Sequence, residues 1–167
     1  KTGIEQGFET SGQIPHPGEG FALELTYANT SFGQAMTATP LQMGLALASI
    51  VNGGTYYQPQ LVHGMANSSG AVEAKKSRVL RTNVVSEKVS GEVRQLLYNA
   101  VRQKVANGTR YLDFPGGYEV GGKTGTAQIT KPTGGYYTDR YNGTYIGFVG
   151  GDKPEYVIAV RVNEPKI

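Results

Sequence analysis

The sequence predicts an α+β fold, with an antiparallel sheet packed against helices, and two observations support this. Two segments with apolar residues at helical spacing, 40–52 and 86–106, lie in the centre of the chain. Three strand-like runs then follow one another, at residues 118–129, 144–149 and 155–162. A helix pair followed by consecutive strands is the order expected of an α+β fold. With 167 residues, the chain is long enough for one domain with a hydrophobic core.

The composition narrows the classes of function. Glycine is abundant, at 24 residues, which indicates many turns and close backbone approaches. The net charge is only +3 and the basic residues are scattered, so the composition does not favour binding to nucleic acid. With no cysteine and two histidines, the chain offers no zinc site, and nothing in it predicts a cofactor. The absence of cysteine suits an extracytoplasmic protein, although many cytosolic proteins share it.

From its ends we expect this sequence to be a segment of a longer polypeptide. No run approaches the ~18 apolar residues needed to span a bilayer. The chain shows no signal peptide and does not begin with methionine, so we expect an excised segment of a longer polypeptide. Residues 1–20 read as an irregular, glycine-rich connection. Within it, His16 lies between two prolines with no neighbour to orient it, so a surface histidine is favoured over a general base.

The first predicted helix has strong signals at both ends. Thr39 can cap it, Pro40 fits the first helical position, and Gln42 completes a capping box. Asn52-Gly53 ends it. Because the helix is apolar nearly all round, it should be buried on more than one face. The best core candidates are Met43, Leu47, Ile50 and Val51.

A second helix is predicted at residues 86–106, with Ser86 as its cap. Before it, residues 56–62 suggest a short extended segment, 67–70 a turn, and Val79-Leu80 and Val84-Val85 short marginal strands. The polar side of the helix should be solvated, and it comprises Lys88, Glu92, Gln95, Asn99 and Arg102. The apolar residues expected to face the core are Val89, Val93, Leu96, Leu97, Ala100 and Val101.

The last third of the chain is predicted to form strands. Pro115-Gly116-Gly117 interrupts the chain before the first strand. Residues 130–143, rich in Gly, Tyr and Thr, are predicted to be a loop. Residues 150–154 join the last two strands as a hairpin loop would.

The run Tyr118–Ile129 is the most informative strand. Its glycines, Gly121, Gly122 and Gly125, would remove side chains where another backbone must come close. Lys123 supplies a compact positive charge whose donors suit a carboxylate. The simpler interpretation is a surface strand with an ordinary lysine and a loose glycine pair.

Alternation along this strand separates the candidate groups. Thr124 and Thr126 lie two apart and share one face, whereas Lys123 and Gly125 belong to the other. A bulge or twist would be needed if all of them met one ligand. The tripeptide itself is weak evidence, because Lys1-Thr2-Gly3 repeats it at the start of the chain without a strand-like context.

Four short motifs follow one another along the chain, after an opening loop at 1–5. Ser31–Gln34 reads S-F-G-Q, Thr39–Gln42 reads T-P-L-Q, Asn52–Gly54 reads N-G-G, and Lys123–Gly125 reads K-T-G. In this order they resemble class B penicillin-binding proteins, the monofunctional peptidoglycan D,D-transpeptidases, over nearly the whole chain. The resemblance implies part of the transpeptidase fold shared by penicillin-binding proteins and serine β-lactamases.

The resemblance also implies roles for five residues. Lys123 would be an electrostatic element and hydrogen-bond donor, and Thr124 and Thr126 would bind the carboxylate of the substrate or of a β-lactam. Gly125 would give steric room, and Gly122 would belong to the substrate-binding strand. A backbone N–H near Thr126 would serve the oxyanion hole. Lys123, Thr124 and Gly125 are thus the catalytic-site candidates.

The acylating serine of the resembled family does not occur in this chain. No serine is followed three residues later by lysine, and no Ser-x-Asn triplet is present. Tyr27-Ala28-Asn29 is similar to the Y-A-N motif of class C β-lactamases, but it directly precedes Ser31–Gln34, a block that follows Ser-x-Asn in class B enzymes. A tyrosine near the domain surface is therefore favoured.

We accordingly expect residues 1–167 to be the C-terminal portion of a transpeptidase domain, inactive alone. The intact protein would cross-link D-Ala-D-Ala stem peptides through an acyl-serine intermediate. It would be anchored at the extracytoplasmic face of the bacterial membrane. Expected partners are peptidoglycan stem peptides, β-lactams and other cell-wall synthesis proteins. The apolar helix 40–52 would be unusually exposed, or be covered by the rest of the domain or by self-association.

Two other functions remain open from sequence. A sensor or pseudoenzyme domain of the same fold would bind β-lactams or partner proteins without turnover. A β-lactamase is disfavoured, because the S-F-G-Q and T-P-L-Q blocks suit cell-wall synthases.

Overall fold

The computed structural model describes residues 1–5, 7–16, 18, 23–109 and 118–166. Helices and strands alternate irregularly until the last third of the chain, which is all strand, as the α+β prediction requires. In chain order the elements are α1 (Leu23–Thr30), α2 (Pro40–Val51), β1 (Tyr56–Tyr57), β2 (Gly64–Ala66), β3 (Val72–Ala74), β4 (Val79–Arg81), α3 (Glu87–Ala106), β5 (Val120–Thr130), β6 (Tyr136–Val149) and β7 (Tyr156–Asn163).

The last three strands form one antiparallel sheet in the order β5-β6-β7. The predicted hairpin loop at 150–154 is confirmed, but the predicted loop at 130–143 is wrong for most of its length. Strand β6 already begins at Tyr136, so only a short turn separates it from β5. Tyrosine and threonine favour strands, and pairing with β5 outweighs the glycine and asparagine residues that indicated a loop.

Helix α2 begins as its sequence predicts. The Thr39 hydroxyl accepts a bond from the Gln42 amide at 3.1 Å, and the Gln42 side chain accepts one from the Thr39 amide at 2.9 Å. The same Gln42 oxygen also accepts from the Gly12 amide at 3.0 Å, so the cap ties the N-terminal connection to the helix. Asn52 closes the other end.

Replacing Thr39 with alanine should lower the free energy of unfolding by about 0.5–2 kcal/mol, because the Gln42 amide loses its partner. Urea titration of the purified protein measures this change. Ser68→Ala is the matched control, since Ser68 is exposed in the turn between β2 and β3. Equal stability of the two variants would contradict the capping role.

The hydrophobic core lies between the sheet and helices α2 and α3. Tyr98 and Phe148 are its largest members, 1% and 0% exposed, with ring centroids 5.1 Å apart. Leu47 and Val51 complete the buried cluster, as predicted for α2. Partly buried residues pack around it, namely Leu97, Ile146 and Val157.

Several core predictions were wrong, because each helix buries a narrower face than its apolar residues suggested. On α2, Met43 is 42% exposed and Ile50 is only half-buried. On α3, Val89 and Leu96 are exposed. Val101 is buried as predicted, and the other buried residues of α3 are Ser90 and Tyr98.

Ser90 is buried because polar groups of α2 and α3 meet there. Its hydroxyl accepts from the Gly53 amide at 3.1 Å and from the Arg94 guanidinium at 2.8 Å. Arg94 also donates to the Val51 carbonyl at 2.8 Å. These bonds satisfy groups at the end of α2 that burial would otherwise leave unpaired.

The smaller elements differ from expectation in detail. Helix α1 and the β2–β3 hairpin were not predicted, although the turn at 67–70 was. Strand β4 confirms Val79-Leu80, whereas Val84-Val85 forms no strand, and the Val84 amide donates to the Gly54 carbonyl at 2.9 Å. The predicted interruption at 115–117 lies outside the described residues. No helix in the described part of the chain is both long and apolar enough to cross a membrane.

The expected exposed apolar surface is present but falls mainly on the sheet. On α2 only Leu41 and Met43 are notably exposed. The larger set lies on β7, on the face of the sheet opposite the core, and comprises Tyr156, Ile158, Val160 and Val162.

Candidate functional site

Strand β5 is the edge strand of the sheet and carries the K-T-G tripeptide. It pairs with β6 on one side only, and no described strand pairs with its other edge. The register is regular from Val120, opposite Val149, to Gln128, opposite Tyr141. There is therefore no bulge at the tripeptide, and Lys123 and Thr124 project from opposite faces, as alternation predicts.

The free edge resolves the difficulty that alternation raised. Lys123 is exposed, and its ammonium curls back over the strand to donate to the Thr124 carbonyl at 2.8 Å. The Lys123 side chain starts on one face of the sheet, and its ammonium reaches the backbone of Thr124, whose side chain projects from the other face. A ligand along this edge could meet groups from both faces without any bulge.

A second ammonium group reaches the same residue. Lys104, in the last turn of α3, donates to the Thr124 hydroxyl at 3.2 Å. Thr124 is thus contacted by one lysine at its carbonyl and by another at its hydroxyl. Neither lysine belongs to any of the four ion pairs among the described residues.

The glycines of β5 are explained by the neighbouring strand, not by a ligand. A Cβ on Gly121 would lie 2.6 Å from the Phe148 ring, and one on Gly122 would lie 2.2 Å from the Tyr145 hydroxyl. A Cβ on Gly125 would lie 2.5 Å from the Thr144 hydroxyl. The predicted close approach of another backbone is confirmed only at Gly122, where the Ile146 carbonyl oxygen would lie 2.8 Å from a Cβ. At Gly121 and Gly125 the prediction is wrong, since side chains occupy the space.

Tyr145 packs against Gly122 of β5 and Gly147 of its own strand. Its hydroxyl is buried and has no hydrogen-bond partner among the described residues. Burial raises the pKa of Tyr145 above its ordinary value, so the phenol stays protonated at neutral pH. It supports the strand as a neutral, packed ring.

Helix α3 fixes the position of β5. Leu97 packs against Gly121, and Arg102 pairs with Glu119 at 2.7 Å, just before the strand begins. The Tyr98 hydroxyl donates to the Gly151 carbonyl at 2.6 Å, which ties the β6–β7 turn to the same helix. The tripeptide therefore sits on a strand held by a rigid helix.

The other sequence candidates do not join this strand. Lys1-Thr2-Gly3 forms no strand, and the Glu9 carboxylate accepts from the Thr2 and Gly3 amides. Tyr27 is 38% exposed on α1, which agrees with a surface tyrosine. His16 is exposed, as expected. In the described part of the chain, no group of three or more acidic or histidine side chains is placed to hold a metal ion.

Comparison with known proteins decides the family. The model of the penicillin binding protein transpeptidase domain matches residues 1–166. The chain belongs to the penicillin-binding protein transpeptidase domain family. This confirms the resemblance drawn from the S-F-G-Q, T-P-L-Q and K-T-G motifs.

The curated relatives are much longer than this chain. Stage V sporulation protein D of Bacillus subtilis is 37% identical over 171 residues, covering 99% of this chain and 25% of that protein. A peptidoglycan D,D-transpeptidase FtsI homolog of Mesostigma viride is 28% identical, covering 84% of this chain and 25% of its own. The chain thus spans about a quarter of the length of these curated relatives.

The structural comparison supports the fold. Penicillin-binding protein 3 of Mycobacterium tuberculosis, solved in complex with ampicillin, superposes with a TM-score of 0.83 at 31% identity. The match covers 99% of this chain and 37% of that chain. The α+β fold predicted for this penicillin-binding protein domain is therefore confirmed.

Sequence reasoning missed Lys104. It lies on a helix 19 residues before Lys123 (123 − 104), and helical spacing alone marks it only as an exposed lysine near a C-terminus. Only the packing of α3 along β5 brings it to Thr124.

Proposed function

We propose that this chain forms the carboxylate-binding wall of a peptidoglycan D,D-transpeptidase site. The observation that carries the proposal is the K-T-G tripeptide on a strand edge that is exposed and unpaired within the described residues. The family match over residues 1–166 supports the same function.

Each group on the edge has a proposed role. The Lys123 ammonium leaves the Thr124 carbonyl and provides positive charge at the carboxylate of the stem peptide or β-lactam. The hydroxyls of Thr124 and Thr126 donate to that carboxylate, and the Thr126 amide contributes to an oxyanion hole. Gly122 and Gly125 leave room for the Tyr145 and Thr144 side chains of β6, which pack against the strand.

The covalent step requires a serine that these 167 residues do not supply in the family's Ser-x-x-Lys pattern. In the proposed reaction, that serine attacks the D-Ala-D-Ala amide carbonyl and the terminal D-Ala leaves with a proton. An amine of a second stem peptide then attacks the acyl-serine ester. The new amide bond is the cross-link, the ester bond to serine breaks, and the serine oxygen regains a proton from the amine. The reaction takes place outside the membrane, where other cell-wall synthesis proteins act.

A fluorescent penicillin tests the proposal. The full-length protein should form a stable covalent adduct, visible by gel fluorescence and as a mass increase equal to the whole penicillin. The 167-residue chain alone should show no adduct under the same conditions. Turnover is measured separately, as release of D-Ala from a stem peptide with an acceptor amine.

The outcomes separate the alternatives. Adduct formation with D-Ala release supports the transpeptidase. Adduct formation without D-Ala release would indicate a β-lactam sensor, and rapid hydrolysis of the penicillin would indicate a β-lactamase. Labelling of the 167-residue chain itself would contradict the assignment of the nucleophile to another segment.

A further inference from the structure

Lys104 contacts Thr124, although a lysine at its position does not need this contact to be stable. Lys104 is half-buried in the last turn of α3, where its ammonium is 3.2 Å from the Thr124 hydroxyl. A lysine near a helix C-terminus is already stabilised by the helix dipole and can extend into water. Here it instead reaches across to the edge strand.

This contact sets the direction of the Thr124 hydrogen bond. A hydroxyl has one donor hydrogen and two acceptor lone pairs, whereas an ammonium group can only donate. The Thr124 oxygen therefore accepts from Lys104, and its hydrogen is left to donate elsewhere. A positive donor on the oxygen also polarises the O–H bond and strengthens its donation to an anion.

The local charge favours an anionic ligand. Arg102, two residues earlier on α3, is neutralised by Glu119 at 2.7 Å. Among the described residues, neither Lys104 nor Lys123 has a carboxylate within ion-pair distance. Both ammonium groups contact the single residue Thr124, so positive charge accumulates there without a protein counter-ion.

We propose that Lys104 is a positioning residue that selects carboxylate-bearing ligands through the Thr124 hydroxyl. This inference rests on the proposed function of the β5 edge and adds a residue to it. Lys104 holds the hydroxyl as a donor and adds charge beside it, so it discriminates an ionised carboxylate from its neutral ester.

The experiment compares two forms of one ligand on the full-length protein. The second-order rate constant of acylation is measured for ampicillin and for its carboxylate methyl ester, with wild type, Lys104→Met and Lys104→Gln. The wild-type preference for ampicillin over the ester should fall roughly five- to thirtyfold in Lys104→Met, since a hydrogen bond to a charged group is removed. The preference should also fall in Lys104→Gln. In both variants the rate constant for the ester should stay within about twofold of the wild-type value.

Lys88→Met is the matched control. It removes an exposed lysine from the first turn of the same helix, whose Nζ lies 3.9 Å from Glu92. Its ampicillin preference should equal that of wild type. In a Thr124→Val background, Lys104→Met should have a much smaller effect on the preference, because valine lacks the hydroxyl through which the lysine acts and only the nearby charge is lost.

Three results would overturn the inference. The first is an unchanged preference in Lys104→Met. The second is an equal fall in both rates, which would mean that Lys104 only supports the fold. The third is a full additional loss in the Thr124→Val background. If wild type is acylated by neither compound, the proposed function itself fails, and that result differs from all three.

Discussion

Replacing Lys123 with alanine should lower the rate constant of acylation by a β-lactam about 100- to 1,000-fold. Removing one preorganised donor from a site where charge develops typically has an effect of this size. Lys123 is exposed, and among the described residues its ammonium donates only to the Thr124 carbonyl, at 2.8 Å, so it is free to turn to a ligand. The measurement is the time course of fluorescent-penicillin labelling of the full-length protein, across a range of penicillin concentrations.

Lys153→Ala is the matched control for this variant. Lys153 is an exposed lysine in the turn between β6 and β7 of the same sheet, so it controls for net charge. Its labelling rate should stay within about twofold of wild type, as is usual for a surface substitution. Unchanged labelling of Lys123→Ala, with normal stability, would remove Lys123 from the site.

Replacing Phe148 with alanine should lower the free energy of unfolding by about 3–5 kcal/mol, the usual range for a buried aromatic residue. Phe148 is 0% exposed, packs on Tyr98 with centroids 5.1 Å apart, and covers Gly121 of the K-T-G strand. Its loss would leave a cavity between α3 and β5. Urea unfolding of the 167-residue chain, followed by intrinsic tyrosine fluorescence, measures the change.

Tyr156→Ala tests whether burial is the cause. Tyr156 is also an aromatic residue of this sheet, but it is 65% exposed on β7. Its substitution should change the free energy of unfolding by less than about 0.5 kcal/mol. Similar losses for both variants would show that Phe148 owes its effect to strand propensity and not to the core.

Local signals predicted helices α2 and α3 well, missed α1, and predicted the three-stranded sheet in part. Thr39, Gln42 and Asn52 defined α2 because capping depends on side chains adjacent in sequence. Strand β6 was predicted too short, because residues 136–143 include Asn142 and Gly143 and become strand only by pairing with β5. Pairing of this kind is a tertiary effect that no short window contains.

In the candidate site, too, local features were predicted from sequence and tertiary contacts were not. The K-T-G strand and the alternation of Lys123 and Thr124 were read directly from neighbouring residues, and their separation onto two faces was correct. Lys104 could not be found, since its role depends on how α3 crosses the sheet. Tyr98 and Ser90 were missed as core residues because their buried hydroxyls form hydrogen bonds with residues far along the chain, Gly151 and Gly53.

The curled Lys123 side chain also bears on how this chain behaves in a crowded solution. An unpaired strand edge is a template on which another extended chain can assemble and aggregate. Because the Lys123 ammonium donates to the Thr124 carbonyl, that backbone acceptor is already satisfied. The same ammonium also places a charge where another strand would have to pair. The lysine proposed to bind the ligand thus also disfavours pairing of another chain with this strand edge while no ligand is bound.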